Sequence, residues 1–286
     1  MGMKLSFDAA GLQRWHARSS LRPTVLLLAT LGAVLCATPL RAADKPLPAA
    51  AAKVAEPYRS ESRSYDWWTR RHEDLLKRIK AGPVDLLFLG DSITLGWDCR
   101  LMLAEPPSAD EGAGRKIWNE RYVPKNAASI AIGGDGIQHL LWRITEGGDI
   151  NGIKPRVTVL LIGVNNLGMG DPPEKVAKGI GQVIQVLQTR LPETKILLLG
   201  IFPAGPTPDL QCRAQIQTVN HLIASCEDGK RVRFLDIGKQ FLDKDGVLTR
   251  EIMPDFLHPS AKGYEIWAQA MQPLLDELWN ESAPKK

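Results

Sequence analysis

The stretch LLFLGDSITLGW, Leu86–Trp97, joins a run of apolar residues to a short polar turn. Apolar residues without alternation are typical of a strand that is covered on both faces of a parallel sheet. The run ends in Gly-Asp-Ser, and packing gives no reason for a small hydroxyl there. Ser92 is therefore a candidate functional residue at a strand-to-helix junction. A helix N-cap is the structural alternative for this serine, and Gly-Asp-Ser alone does not decide between the two.

Apolar runs and helical patterns alternate along the rest of the chain. The predicted strands are Val84–Gly90, Ser129–Gly134, Arg156–Gly163, Lys195–Phe202 and Val232–Gly238. The predicted helices are Tyr65–Lys80, Ile137–Glu146, Pro173–Leu191, Asp209–Glu227 and Ala261–Trp279. This order predicts a single doubly wound, flavodoxin-like α/β domain over residues 63–282, with a parallel sheet of about five strands and helices on both faces.

The N-terminal segment has the composition of a targeting sequence. Four basic residues precede an uncharged apolar run of 13 residues, Thr24–Cys36, and small residues follow it. A membrane-spanning helix needs roughly 20 apolar residues. Residues 1–43 are therefore predicted to be a secretory signal peptide, with an uncleaved anchor as the alternative, and the protein is expected in the periplasm or outside the cell. Residues 44–62, rich in Ala, Pro, Lys and Ser, are predicted to be a flexible linker.

The charge of the chain gives no support to a nucleic-acid partner, and its cysteines leave one question open. The whole chain has 36 basic and 32 acidic residues, but residues 1–43 hold five of the basic residues and one acid. The remainder has no net charge, so its charge gives no indication of nucleic-acid binding. Three cysteines follow the predicted signal peptide. Cys212 and Cys226 either pair as a disulfide in an exported protein, with Cys99 free, or all three are unpaired.

A serine nucleophile needs a base, because a free hydroxyl is almost wholly protonated at neutral pH. His258 lies between the last predicted strand and the last helix, three residues after Asp255. That spacing allows the carboxylate to meet the imidazole Nδ1 and to leave Nε2 facing a serine. A helix cap built from Asp255 or Ser260 is the structural alternative. The other three histidines after residue 43 lie within helical patterns, where structural or surface roles are commoner: His72, His139 and His221.

Two further residues follow predicted strands and suit an oxyanion hole. Gly134 and Asn165 can supply N–H donors to the negative charge of a tetrahedral intermediate. Each residue type is also common in turns. Because ligands of such folds bind at the carboxyl ends of the strands, Ser92, Gly134 and Asn165 are expected to meet there.

The sequence resembles the SGNH (GDSL-type) hydrolases over most of the chain after the linker. The segments IGGDGIQHLLWRI, Ile132–Ile144, and DFLHPSAKGY, Asp255–Tyr264, are most similar to the branch with the platelet-activating-factor acetylhydrolase Ib catalytic subunits and bacterial GDSL esterases. The resemblance implies an oxyanion hole built from Ser92 N–H, Gly134 N–H and the Asn165 side-chain amide. It also implies a triad of a serine nucleophile, a histidine base and an aspartate that orients the histidine: Ser92, His258 and Asp255.

The sequence departs from this family in three places. Val164 stands where the family often has threonine, and Ser129 stands where an asparagine often begins the second conserved block. The segment Asp98–Arg115 has the composition of an enlarged loop beside the nucleophile, which makes it unsafe to transfer a substrate from a relative.

The predicted protein is an exported serine esterase that acts on short-chain acyl esters, such as acetyl esters of carbohydrates. No metal or organic cofactor is expected, because metal-ligand spacing is missing and GGDGIQ lacks the spacing of a dinucleotide site. The alternatives are a lipase or lysophospholipase and a catalytically inactive glycan-binding relative. Three tryptophans near the conserved blocks are candidates for stacking on sugar rings or lining an acyl pocket, with burial in the core as the favoured role: Trp97, Trp118 and Trp142.

Overall fold

The computed structural model of the chain describes residues 65–98 and 113–282. The predicted signal peptide, residues 1–43, and the predicted linker, residues 44–62, lie outside the described residues. So do Cys99 and most of the loop predicted beside the nucleophile.

Within the described residues, five strands form one parallel sheet. They are β1 (Leu86–Gly90), β2 (Ala127–Ala131), β3 (Val157–Leu161), β4 (Lys195–Leu199) and β5 (Val232–Leu235). The strand order is β2-β1-β3-β4-β5, which is the flavodoxin-like order. The predicted fold class is therefore confirmed. The order changes direction on either side of β1, and ligands of such sheets bind at this switch point.

Helices surround the sheet. They are α1 (Tyr65–Lys80), α2 (Ser92–Leu95), α3 (Arg115–Ile117), α4 (Ile137–Thr145), α5 (Val164–Gly168), α6 (Pro173–Arg190), α7 (Gln211–Ile223) and α8 (Ala261–Glu281). Helix α6 packs between α4 and α7, whereas α8 packs against β3, β4 and α3. Helix α1 lies against β2, one of the two edge strands of the sheet.

The core follows from the apolar pattern of each element. All residues of β1, β2 and β3 are buried, as expected for strands covered on both faces. In α4 the buried apolar residues Ile137, Leu140 and Ile144 recur at helical spacing. Trp97 and Trp118 are also buried, so the structure confirms the core role for these two tryptophans.

The register of the sheet aligns the strand ends that precede the polar segments. Gly90, the last residue of β1, pairs with Ala131 of β2 and with Leu161 of β3. Gly90 also leaves room for the turn that follows, because a Cβ there would lie 2.1 Å from Thr94 Oγ1 and 2.4 Å from Leu161 O. The segments after β1, β2 and β3 therefore begin at the same edge of the sheet.

The second strand begins and ends earlier than predicted. The prediction placed it at Ser129–Gly134, whereas β2 spans Ala127–Ala131. Alanine has a low strand propensity, so the sequence pattern did not reveal Ala127 and Ala128, which pair with β1. Gly134 consequently lies in the loop after β2. A π-helix at Trp118–Tyr122 and a 3₁₀ turn at Val123–Lys125 were not predicted either.

Two open points of the sequence analysis concern cysteines and membrane spans. Cys212 and Cys226 are both free thiols in the structure. Among the residues that the structure describes, no helix has the length and apolar character needed to cross a membrane.

Candidate active site

Ser92 is the first residue of helix α2, directly after the turn that ends β1. The N-cap of this helix is Asp91, whose Oδ1 accepts a hydrogen bond from Ile93 N at 3.0 Å. The capping role that was the alternative for Ser92 thus belongs to its neighbour. The Ser92 hydroxyl instead lies 2.8 Å from His258 Nε2, across 166 positions of sequence.

His258 is fixed by a turn that its own segment forms. Its Nδ1 lies 2.6 Å from Asp255 Oδ2. The other carboxylate oxygen, Asp255 Oδ1, accepts from Leu257 N at 3.1 Å and from His258 N at 2.8 Å. Phe256, which directly follows Asp255, has a φ of 62°, and its carbonyl accepts a hydrogen bond from Gly205 N at 2.9 Å. The Asp-x-x-His spacing therefore produces the geometry that the sequence predicted for it.

The Asp255 carboxylate is held in its ionised form. Its partial burial acts to raise its pKa, but the hydrogen bond and charge of His258 and the N–H groups of His258 and Leu257 outweigh burial and lower the pKa below its usual value. An ionised Asp255 accepts the proton of His258 Nδ1. His258 Nε2 is then free to accept a proton from Ser92.

Gly134 lies in the loop after β2, and Asn165 lies in the first turn of α5, which follows β3. Gly134 has a φ of 74°, a left-handed conformation that glycine adopts without strain. The Asn165 amide donates from Nδ2 to Asp135 O at 2.9 Å, and Nδ2 lies 3.4 Å from Asp91 Oδ2. The backbone next to Gly134 and the Asn165 side chain are thus directly connected. Both predicted oxyanion residues lie at the edge of the sheet that carries Ser92.

The neighbouring Asn166 joins the segments that follow β2 and β3, a function that the sequence analysis missed. Asn166 Oδ1 accepts from Ile137 N at 2.8 Å, and its Nδ2 donates to Gln138 Oε1 at 3.0 Å. The only sequence feature that pointed to this function of Asn166 was its position directly after Asn165. Asn166 therefore connects the start of α5 to the start of α4.

A buried ionic cluster behind the site was also missed. Arg143 is fully buried, with Nε donating to Asp135 Oδ2 at 2.8 Å and Nη1 donating to Asp149 Oδ2 at 2.6 Å. Its Nη2 also donates to Gly90 O at 3.3 Å. Helical spacing placed Arg143 on α4 but gave no indication that this cation would lie in the core.

The other histidines do not contact Ser92. His139 Nδ1 accepts from Gly136 N at 2.8 Å at the start of α4. His72 Nε2 lies 3.0 Å from Asp149 Oδ1, and His221 is exposed on α7. Their structural or surface positions agree with the prediction from helical spacing. Within residues 65–98 and 113–282, no group of three His, Cys, Asp or Glu side chains is arranged to hold a metal ion.

Comparison with protein families gives one match that covers most of the domain. The model of the GDSL-like Lipase/Acylhydrolase family matches residues 88–266. The alpha2 subunit of platelet-activating factor acetylhydrolase IB from Homo sapiens is 32% identical over 240 residues, which cover 84% of this chain and 95% of the relative. The alpha1 subunit from the same species is 32% identical over 213 residues, covering 74% of this chain and 84% of the relative.

Solved structures share the fold at lower sequence identity. A putative acylhydrolase from Bacteroides fragilis has a TM-score of 0.58 and 16% identity, covering 76% of this chain and 99% of its own. An R55A mutant of Axe2, an acetyl-xylooligosaccharide esterase from Geobacillus stearmophilus, has a TM-score of 0.51 and 18% identity, covering 70% of this chain and 96% of its own. These likenesses confirm the architecture of the sheet and helices.

Proposed function

We propose a mechanism and a substrate class for this chain, which belongs to the GDSL-like lipase/acylhydrolase family and is an ester-hydrolysing serine hydrolase. The mechanism uses Ser92 as nucleophile, His258 as general base and acid, and Asp255 as the group that orients His258. The observation that carries it is the continuous chain of contacts from Asp255 Oδ2 through both imidazole nitrogens to Ser92 Oγ, at 2.6 Å and 2.8 Å.

The reaction follows from this arrangement. Ser92 Oγ attacks the ester carbonyl carbon while its proton passes to His258 Nε2. His258 then gives this proton to the leaving alcohol. Water, deprotonated by the same histidine, attacks the acyl-serine, and the acid leaves as Ser92 regains its proton.

The negative charge of each tetrahedral intermediate requires donors that are already in place. We assign this role to the backbone N–H groups of Ser92 and Gly134 and to the Asn165 amide. The place of Gly134 directly after β2 and the contact of Asn165 Nδ2 with Asp135 O support the assignment, because both residues lie at the sheet edge that carries Ser92. Fixed donors stabilise developing charge without a reorganisation cost.

The proposed substrates are short-chain acyl esters, above all acetyl esters, carried by carbohydrates outside the cytoplasm. The names of the alpha1 and alpha2 relatives contain acetylhydrolase, and Axe2 is described as an acetyl-xylooligosaccharide esterase. The acetyl group is common to these names, so it is the firmer part of the proposal. The carbohydrate part rests on the predicted signal peptide and on the Axe2 description.

Hydrolysis of p-nitrophenyl acetate and octanoate tests the mechanism and the acyl length together. We expect the parent to prefer the acetate by at least about ten-fold in kcat/KM, and Ser92→Ala and His258→Ala each to lower kcat by at least about 10³-fold. His221→Ala, at an exposed histidine on α7, is the matched control and keeps the parental rate.

A different experimental result would contradict each part of the proposal. Parental rates in Ser92→Ala would exclude the proposed nucleophile, and a preference for octanoate would exclude the short-acyl assignment in favour of a lipase. Acetate release from acetylated xylooligosaccharides, compared with release from an acetylated phospholipid, then tests the carbohydrate. An inactive parent that binds these oligosaccharides would favour the glycan-binding alternative.

A further inference from the structure

Helix α1 contacts the loop that carries Gly134. The indole Nε1 of Trp68 donates to Asp135 Oδ1 at 2.9 Å, and Asp135 is the residue directly after Gly134. The carboxylate is buried, so this N–H satisfies an oxygen that water does not reach. Helix α1 ends before residue 88, where the match to the family model begins.

The same helix turn also contacts the last residue of β2 and one earlier position of the loop. Arg71 Nε donates to Ala131 O at 3.2 Å, at the last residue of β2. Trp67 Cη2 lies 3.4 Å from the position that a Cβ on Gly133 would occupy, and Ser92 Cβ lies 3.7 Å from the same position. One turn of α1 therefore contacts residues 131, 133 and 135, and both Trp67 and Ser92 border the space beside Gly133.

Asp135 transmits these contacts to the proposed oxyanion donors. Its second carboxylate oxygen accepts from Arg143 Nε at 2.8 Å, and its carbonyl accepts from Asn165 Nδ2 at 2.9 Å. The peptide of Asp135 follows Gly134 directly. A shift of the Asp135 backbone would thus move the adjoining residue Gly134 and the carbonyl that holds the Asn165 amide.

We propose that α1 clamps the loop 131–135 and that Trp68 is a positioning residue, which holds the two oxyanion donors in place through Asp135. The inference rests on the proposed function, because it assigns a second role to the same oxyanion hole. Its physical basis is that N–H donors stabilise the transition state only when they lie at hydrogen-bonding distance from the oxyanion. Small displacements of the donors therefore lower the reaction rate steeply.

Trp68→Phe tests the clamp because it removes the N–H donor and keeps an aromatic ring. His72→Phe is the matched control. His72 lies on the same helix, and its Nε2 contacts Asp149, the other carboxylate on Arg143, at 3.0 Å. His72→Phe removes the hydrogen bond between His72 Nε2 and Gly147 O at 3.1 Å, but of the two residues only Trp68 contacts the residue next to Gly134.

We expect Trp68→Phe to lower kcat for p-nitrophenyl acetate about ten-fold with KM unchanged. A trifluoromethyl ketone provides the second readout: Ser92 Oγ bonds to the ketone carbon, its proton passes to His258, and the ketone oxygen becomes an oxyanion. The inhibition constant of this compound is expected to rise by the same factor. His72→Phe keeps the parental kcat and inhibition constant, whatever its melting temperature.

The results separate failure of the clamp from failure of the catalytic mechanism. If hydrolysis needs Ser92 but Trp68→Phe and His72→Phe both keep the parental kcat, the clamp is wrong and the mechanism stands. Equal losses of kcat in both variants would also overturn the clamp, since they would indicate a general structural effect. If Trp68→Phe does not fold, Arg71→Gln, which removes the donor to Ala131 O, is measured in its place with the same expectation.

Discussion

At the scale of single residues, Asp91 shows how the strand end supports Ser92. One carboxylate oxygen caps α2 through Ile93 N, and the other lies 3.4 Å from Asn165 Nδ2. Burial raises the pKa of Asp91 to about 7, although the Ile93 N–H and the charge of His258 act in the opposite direction. The carboxyl group beside the nucleophile therefore titrates close to neutral pH.

This raised pKa predicts how stability depends on pH. The folded state binds the Asp91 proton more tightly than the unfolded state, whose aspartates have a pKa of about 3.9. Protonation of Asp91 therefore contributes fully to the free energy of unfolding at a pH below about 3.9, and this contribution is lost as the pH rises towards 7. Asp91→Asn has no carboxyl group that titrates at this position. Between pH 4 and pH 8 we therefore expect the free energy of unfolding of this variant, relative to that of the parent, to rise by on the order of 2–4 kcal/mol.

Urea unfolding of the parent and of Asp91→Asn at pH 4 and pH 8 measures this change. The exposed Asp245→Asn is the matched control for the loss of one carboxylate. A constant difference between the parent and Asp91→Asn at the two pH values would contradict the assignment of a raised pKa to Asp91.

At the scale of elements, Arg143 joins helix α4 to the strands that carry the site. Besides its two carboxylate partners, the guanidinium donates to Gly90 O at the end of β1 and to Ile130 O in β2. A buried ion pair of this kind contributes little net stability compared with apolar residues of the same shape. The removal of only one partner of the pair is costly, because it leaves the opposite charges buried without compensation.

Arg143→Met is therefore expected to lower the free energy of unfolding by about 3–5 kcal/mol, since Asp135 and Asp149 would remain in the core without their cation. Lys262→Met is the control at an exposed pair, Lys262–Glu251, and is expected to cost less than about 1 kcal/mol. Urea unfolding at neutral pH compares the two. Similar small losses in both variants would show that the cluster does not stabilise the fold in this way.

At the scale of the whole molecule, the site is assembled from segments far apart in the chain. The nucleophile follows β1, the proposed oxyanion donors follow β2 and β3, and the histidine precedes α8. The parallel register aligns the ends of β1, β2 and β3 at one edge of the sheet, and His258 reaches this edge through its contact with Ser92. A single α/β domain preceded by a cleavable signal peptide and a linker remains the proposed organisation of the chain.

Expression of the full chain in a bacterial host with a Sec pathway tests the export proposal. We expect the protein outside the cytoplasm with an N-terminus close to residue 44, as measured by cell fractionation and intact mass. Leu27→Arg combined with Leu28→Arg interrupts the apolar run and is expected to leave the full-length chain in the cytoplasm. Ala51→Arg, in the predicted linker, is the control that is still processed. An untrimmed chain in the membrane would identify the N-terminus as an anchor.

The apolar pattern of the chain is enough to predict the sheet, because near-continuous apolar runs separated by helical patterns are compatible with few other folds. The sequence also predicts the local turn of Asp255 and His258, since both residues lie within one short segment. The ends of β2 were less well predicted, because alanine gives little strand signal.

The contacts between distant groups, in contrast, depend on how the elements pack. His258 reaches Ser92 across 166 positions, and Trp68 reaches Asp135 across 67. Periodicity reports the face on which a side chain lies, but the contacts of that face depend on strand register and helix packing. The burial of Arg143 and the role of α1 at the site follow from that packing, so no local pattern of the sequence predicts them.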